Sequence, residues 1–173
     1  RCYETDQTAI YGLSQYLPNN VISTFLKIEM DDYSFHSVLP STIIFGWRPD
    51  EPGFDFDRAR YIISRHKALR HLFVGAWYPL LPPNLDKTKW IASQYHRPDL
   101  QEGAVVVYRR PESDYYGVTV NLRALESDAV YELNYEVAGT TRTVKGRELM
   151  NNFQVEIFKK RGSEVIVYRR RSP

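Results

Sequence analysis

Ser41-Thr42-Ile43-Ile44-Phe45-Gly46-Trp47 is a nearly continuous apolar run bounded by Pro40 and Pro49. Such a run reads as a strand covered on both faces, and strands of that kind belong to parallel sheets. The best helix of the chain follows it. Asp55 is placed to cap that helix, and Asp57 lies in the first turn, where the macrodipole favours an anion. Ala59, Ile62, Ile63, His66, Leu69, Leu72 and Phe73 then fall on one side at spacings of three and four. His66, Lys67, Arg70 and His71 crowd the C-terminal half, and Gly75 stands beyond as the stop. A helix from Phe56 to Phe73 would span about 27 Å. A buried strand followed by a long amphipathic helix is one β/α unit, and one unit cannot complete a parallel sheet. Its partners are expected N-terminal to Arg1. The absence of a starting Met, with no helix or strand signal before Thr8, reads as a cut chain.

Upstream of the run, Thr8 to Leu17 fits a short helix or loop ending at the turn Pro18-Asn19-Asn20. Val21 to Met30 fits a strand or one helical face, broken at Asp31-Asp32. Beyond Gly75 the texture changes. Trp77-Tyr78-Pro79-Leu80 leads into a boundary-like Pro82-Pro83-Asn84, and strands then recur with turn residues between them. Trp90 to Arg97, Ala104 to Tyr108 and Tyr115 to Leu122 are three of them. Val130 to Val137 sets Tyr131, Leu133, Tyr135 and Val137 against Glu132, Asn134 and Glu136. Ala138-Gly139 turns that strand into Thr140 to Val144, and Lys145 to Asn152 has the length of a helical turn. Phe153 to Phe158 and Glu164 to Arg169 complete a set that suggests a sandwich of two sheets. The expected fold class is therefore α+β, with a β/α segment over residues 1–76 and an antiparallel β-sandwich over residues 77–173.

Composition narrows the function classes. The 23 Lys and Arg nearly balance the 21 Asp and Glu, for a net charge of +2, so no polyanionic partner is implied and nucleic acid is not expected. Lys159-Lys160-Arg161 and Arg169-Arg170-Arg171 are the basic runs; meeting across a terminal hairpin they would read as a nucleic-acid patch, but charges that blunt edge strands are the preferred reading. The single cysteine, Cys2, cannot form an intrachain disulfide and does not fix the compartment. No apolar run reaches the length needed to cross a bilayer, so no membrane partner is expected. Aromatic residues make up 14% of the chain, which suits strands and supplies rings able to stack on sugar faces. The four histidines lack a ligand pattern. His66 and His71 are five apart, the wrong spacing for one helical face, so no metal or other cofactor is expected.

Several strings, taken in order, resemble a known family. Tyr11-Gly12-Leu13-Ser14 with Leu17-Pro18 is similar to the YGLS…LP segment late in the barrel of α-galactosidase-like glycoside hydrolases of the melibiase type. Asp32-Tyr33-Ser34-Phe35-His36-Ser37 resembles their D-x-Y-x-F-R-S segment, with His36 where Arg is usual. Trp77-Tyr78-Pro79-Leu80, Trp90 to Pro98, Glu102-Gly103 and Tyr108-Arg109-Arg110-Pro111 look like the DYYPLT, WMAWQFHRPD, EG and FRRP strings of that family's barrel-to-sandwich junction. The resemblance implies the end of a (β/α)₈ barrel followed by a C-terminal β-sandwich. It also implies retaining hydrolysis of α-galactosides or related glycosides, with a carbohydrate substrate and with the missing barrel, or a companion chain, as partner. Homo-oligomerisation is left open.

Retaining chemistry needs two carboxylates about 5 Å apart, one attacking the anomeric carbon and one protonating the leaving oxygen. The family's nucleophile lies in a K-W-D motif, which is absent here, so this chain alone is expected to be inactive. The acid/base carboxylate lies shortly before the YGLS segment, at or just upstream of Arg1. Asp6 is the catalytic candidate within the chain, with Glu4 near it, and an Asx turn in a loop is its other reading. Asp32, Tyr33, His36 and Trp47 are the substrate-binding candidates. Trp47 ends the apolar strand at the barrel's mouth, where it would stack on a sugar or pack in the core. Asp31 and Asp32 are adjacent, so on an extended chain they diverge and turn chemistry suits them better than joint catalysis. A second reading is a non-catalytic carbohydrate-binding β-sandwich module using exposed aromatics such as Trp77 and Trp90. A third is a structural interaction domain.

Overall fold

A computed structural model describes residues 2–171 of the chain. It opens with helix α1, Tyr3–Leu13, which starts well before Thr8, with Glu4 and Asp6 in the turn where the helix dipole favours them. A 3-10 turn at Asn19–Val21 leads into β1 (Ser23–Leu26), α2 (Asp32–Val38), β2 (Thr42–Phe45) and α3 (Phe56–Leu69). β1 and β2 are parallel neighbours, from Ser23 opposite Thr42 to Leu26 opposite Phe45. The apolar run thus forms a parallel strand, but it is not covered on both faces as expected. Ile43 and Phe45 are half-buried while Thr42 and Ile44 are exposed, because β2 pairs only with β1 and its outer face carries no second layer. α3 is capped by Asp55, whose carboxylate accepts the Arg58 N–H at 2.9 Å. It ends at Leu69 rather than Phe73, and a turn then carries Leu72 and Phe73 into the core.

The rest of the chain is antiparallel. It contributes β3 (Ala76–Pro79), β4 (Ile91–Arg97), β5 (Glu102–Arg109), β6 (Gly117–Val120), β7 (Val130–Tyr135), β8 (Thr141–Lys145), α4 (Gly146–Asn151), β9 (Phe153–Glu156) and β10 (Gly162–Arg170). Six strands form one sheet in the order β3-β4-β5-β10-β7-β8, and β6 pairs with β9 in a separate ribbon. The β7–β8 hairpin turns through Gly139 at φ +64, a left-handed conformation that glycine adopts without strain. β10 is a central strand and β9 pairs elsewhere, so the basic runs neither blunt an edge nor meet across a terminal hairpin. Four of their six residues are held in ion pairs instead, Lys160 on Asp114, Arg161 on Asp31, Arg169 on Glu102 and Arg170 on Glu126.

β5 is buried along its whole length, and its alternation divides two cores. Ala104, Val106 and Tyr108 face one side, where Tyr33, Phe35, Ile62 and Leu72 pack against them. Val105 and Val107 face the other, with Leu133, Leu149, Phe153 and Ile166. Trp90 belongs to this second core, 7% exposed, with its indole N–H on Ser113 Oγ at 2.8 Å. Trp77 is half-buried and packs edge-on against Tyr11, so of the two indoles named for the module reading Trp90 is not exposed and Trp77 is only partly so.

The two residues that end this run carry the layers together. Arg110 is fully buried and uses all five N–H donors: Nε to Gln7 Oε1, one terminal nitrogen to the carbonyls of Asn84 and Asp86, and the other to the Glu4 carbonyl and Thr8 Oγ1. Arg109 reaches the opposite layer, donating to the carbonyls of Ile157, Phe158 and Ser113. Gly103 is required on β5 because a Cβ there would overlap Tyr168 Oη and the Tyr95 carbonyl. That space lets Tyr168 Oη accept from Gln94 Nε2 at 2.8 Å and reach His96 Nδ1 at 3.0 Å.

Replacing Arg110 with Met should lower unfolding stability by about 3 kcal/mol or more, since five acceptors lose their donors at once. Lys should not restore it, having three donors and no planar fork. Urea titration of the three proteins checks this, and a Lys variant as stable as the parent would refute it.

Candidate functional site

The carboxyl ends of parallel strands are where α/β folds build sites, because the loops that follow the strands converge there. In this chain those loops follow β1 and β2. A cavity of about 290 Å³ opens between them, lined chiefly by Ile28 and Met30 after β1 and by Trp47, Arg48, Glu51 and Phe54 after β2. It lies just below the ~300–1,000 Å³ of complete small-ligand pockets. Trp47 forms its aromatic wall. The indole packs on Phe45 at 4.3 Å between centroids and on Phe54 at 6.0 Å, and its Nε1–H is shielded from solvent with no hydrogen-bond partner. Trp47 thus packs against the core on one side and lines the cavity on the other.

Asp32 sits in the first turn of α2 and pairs with Arg58 at 2.5 Å, while Arg58 Nε donates to the Met30 carbonyl at 2.7 Å. The ion pair therefore fixes the loop that carries Met30 into the cavity. Asp31 diverges from its neighbour. It caps α2 by accepting from Ser34 N at 3.1 Å and meets Arg161 at 3.0 Å. Burial raises the Asp31 carboxyl, but Ser34 and Arg161 outweigh it and hold the pKa below the usual range.

Tyr33 and His36 face away from the cavity. Tyr33 is 3% exposed, donates to Glu4 Oε1 at 2.9 Å and lies under the Arg161 guanidinium, 4.8 Å from its ring centre. His36 is 4% exposed, with Nδ1 at 2.9 Å from Ser163 Oγ and its carbonyl accepting from Tyr108 Oη at 2.7 Å. These two candidates wedge α2 against the six-stranded sheet and have no solvent face. Asp6 is on α1 and 2% exposed, so it makes no loop Asx turn, and the helix places it among buried partners. Beside it Glu4 is raised by burial, yet its own backbone N–H and Tyr33 hold its pKa below the usual range.

Arg58, Met30 and Arg161 were not among the residues expected at a site. Arg58 did carry a signal, since a cation in the first turn of a helix opposes the dipole and calls for a compensating anion. Met30 also had one, following β1 as Trp47 follows β2. Arg161 reaches Asp31 across 130 positions of sequence, which local pattern cannot show. Among the described residues no group of three or more His, Cys, Asp or Glu is placed to hold a metal.

No family model matches this sequence, and no curated protein matches it either. Solved structures do. The α-galactosidase of Lactobacillus brevis superposes with a TM-score of 0.79 at 13% identity, covering 99% of this chain and 25% of that one. The GH36 α-galactosidase AgaA of Geobacillus stearothermophilus gives 0.78 at 17%, covering 98% and 25%. The galactosidase domain of the α-galactosidase-sucrose kinase AgaSK gives 0.76 at 18%, again covering 98% and 25%. The chain has the fold of the C-terminal part of these α-galactosidases. It spans about a quarter of the length of each. The parallel β1–β2 pair with its helices and the antiparallel layers behind it are thus shared with the end of a sugar-cleaving enzyme's chain.

Burial lowers the His36 pKa to about 4, with Arg58 also lowering it and Asp32 and Asp31 opposing. The unfolded imidazole titrates near ~6.5. Between these values the unfolded chain binds more protons, so stability is full above ~6.5 and is lost as pH falls toward 4. His66 and His96, also held low by burial, add slope of the same sign. His36→Gln should flatten the fall in urea midpoint between pH 6.5 and 4 without abolishing it. An unchanged slope would show that His36 is not the dominant group.

Proposed function

We propose that this chain is the C-terminal segment of a retaining glycoside hydrolase acting on α-galactosides or related glycosides. The observation that carries the reading is the match of nearly the whole chain, parallel pair and sandwich together, to one quarter of several α-galactosidases. In this reading residues 1–76 are the last part of the catalytic barrel and residues 77–173 the sandwich that braces it. Phe25 and Ile44, 43% and 41% exposed on the parallel pair, are then positions that neighbouring barrel elements would cover. The carbohydrate would approach the cavity at the carboxyl ends of β1 and β2. There the Trp47 ring offers an apolar face, and Arg48 and Glu51 complementary polar groups. Asp32 acts one step away, by positioning the Met30 loop through Arg58.

The double displacement of a retaining glycosidase needs two carboxylates and no cofactor. The chain's own contribution is scaffold and part of the sugar-binding wall, and the nucleophile belongs to the barrel segment that would precede it. Asp6 is a weak claimant to the acid role because its burial in α1 keeps it from an open cleft.

The 173-residue chain alone should show no turnover of 4-nitrophenyl α-galactoside. The protein purified from its source should be several times heavier and active on the same substrate. In that active protein Trp47→Ala should raise KM about tenfold, as loss of one ring contact implies, with kcat less affected. Turnover by the isolated chain, or an inactive source protein of this chain's own size, would overturn the assignment.

A further inference from the structure

A second cavity lies far along the chain from the strand-end site. It is a trough of about 490 Å³ between the β7–β8 hairpin of the large sheet and β9 of the ribbon. A second trough of about 390 Å³ runs along the other side of β9, lined by Tyr115 and Tyr116. Gln154, Val155 and Glu156 line both, so β9 is the ridge between them. Phe158 of the first trough stacks on Tyr116 of the second, with ring centres 5.3 Å apart and planes 20° apart. These rings are 74% and 54% exposed, a large apolar surface left in water on a polar face.

The chemistry of the walls selects a ligand. Asn152 and Gln154 are planar amides, each offering donors and acceptors together, as adjacent hydroxyl groups require. Glu148, Glu156 and Glu164 outnumber Arg142, so phosphates and acidic sugars would be repelled. Tyr135 contributes a hydroxyl shielded from solvent that sits beside the Arg142 guanidinium without completing a hydrogen bond of ordinary geometry. Glu164 closes the floor and is already used, accepting the backbone N–H groups of Val137, Ala138 and Val165. A polypeptide strand is the other occupant that two sheet edges invite. However, β8 exposes Arg142 and Lys145, and β9 exposes Gln154 and Glu156, and charged edges oppose strand addition.

We infer that the trough between the β7–β8 hairpin and β9, with the Tyr116–Phe158 ring pair at its border, is a non-catalytic binding site for a neutral oligosaccharide. The rings stack on the apolar faces of sugar units while Arg142, Asn152, Gln154 and Glu156 pair with their hydroxyl groups. The site stands independently of the barrel reading, since it draws only on the sandwich.

Backbone amide NMR of the 173-residue chain titrated with stachyose, a neutral tetrasaccharide, tests the assignment. Saturable shifts are expected at residues 135–144 and 152–158, with affinity in the ~mM range of single stacking sites. Phe158→Ala and Gln154→Ala alter exposed side chains and should each weaken binding at least tenfold, while Tyr16→Ala, at an exposed ring outside the trough, should leave it unchanged. No saturable shift, or affinity unchanged in both sandwich variants, overturns the proposal. Shifts confined to Ile28, Met30 and Trp47 would overturn it while supporting the strand-end site. Concentration-dependent shifts of β8 and β9 without sugar would assign the trough to a second copy of the chain instead.

Discussion

Arg109 and Arg110 stand at the point where the two halves of the fold are tied together. Adjacent residues at the end of a strand point to opposite faces. Arg110 therefore enters the helical layer and Arg109 the ribbon layer, and each is used as a bundle of donors for backbone carbonyls. Taking a guanidinium out of water costs several kcal/mol, offset at Arg110 by a full set of partners, while Arg109 keeps its Nε buried without one. Burial lowers the Arg110 pKa, opposed by its neighbours Tyr33 and Glu4. The cost is a reason the arrangement is specific. A small displacement of α1, or of the Asn84–Asp86 loop, leaves buried polar groups unpaired, so this pair of arginines defines where the first helix lies against the sheet.

With both layers tied to it in this way, the large sheet has two packed faces. β5 alternates Ala104, Val106 and Tyr108 toward one core with Val105 and Val107 toward the other. The run of apolar residues that might be taken for one buried strand in a parallel sheet is instead the middle of an antiparallel sandwich flanked on both sides. The helical side is locked by polar contacts as well as packing. Tyr108 Oη reaches the His36 carbonyl, His36 reaches Ser163, and Arg161 covers Tyr33 while binding Asp31. All of these hold α2, and α2 joins β1 to β2. The position of the strand-end cavity thus depends on contacts made on the far side of the helix.

The parts of this structure legible in the sequence are those with a local period. The hairpin at Gly139, the cap at Asp55 and the core face of α3 follow from spacing alone. The start of α1 was legible in principle from Glu4 and Asp6 but is masked by its mixed polarity. Coverage of β2 was not legible, because an apolar run states what a strand tolerates on its faces and not how many layers lie near it. The basic runs misled for a related reason. Charge at a strand terminus looks like edge protection until topology places the strand in the middle, and Glu102 and Glu126, its partners, lie 67 and 44 positions away. Of the residues expected to bind substrate, Trp47 reaches a cavity and Asp32 touches its support. Tyr33 and His36 share their segment with Asp32 but fall on the buried side of a helix that the segment did not announce.

The strand-end cavity has a physical peculiarity that bears on how it would operate. A polar group shut away from water without a partner costs about 1–3 kcal/mol, and Trp47 Nε1 is such a group at a wall made of three aromatic side chains. Only the loops after β1 and β2 build this site here, whereas sites on barrels draw on the ends of several strands. Phe45 and Phe54 hold the ring in that position, so the buried N–H keeps this cost for as long as their packing stays closed. The ring is therefore fixed by its aromatic neighbours while it lines the cavity. The two inferences then fit a division of labour along the chain. The parallel strands present one aromatic wall at their carboxyl ends, and the sandwich presents a separate cleft.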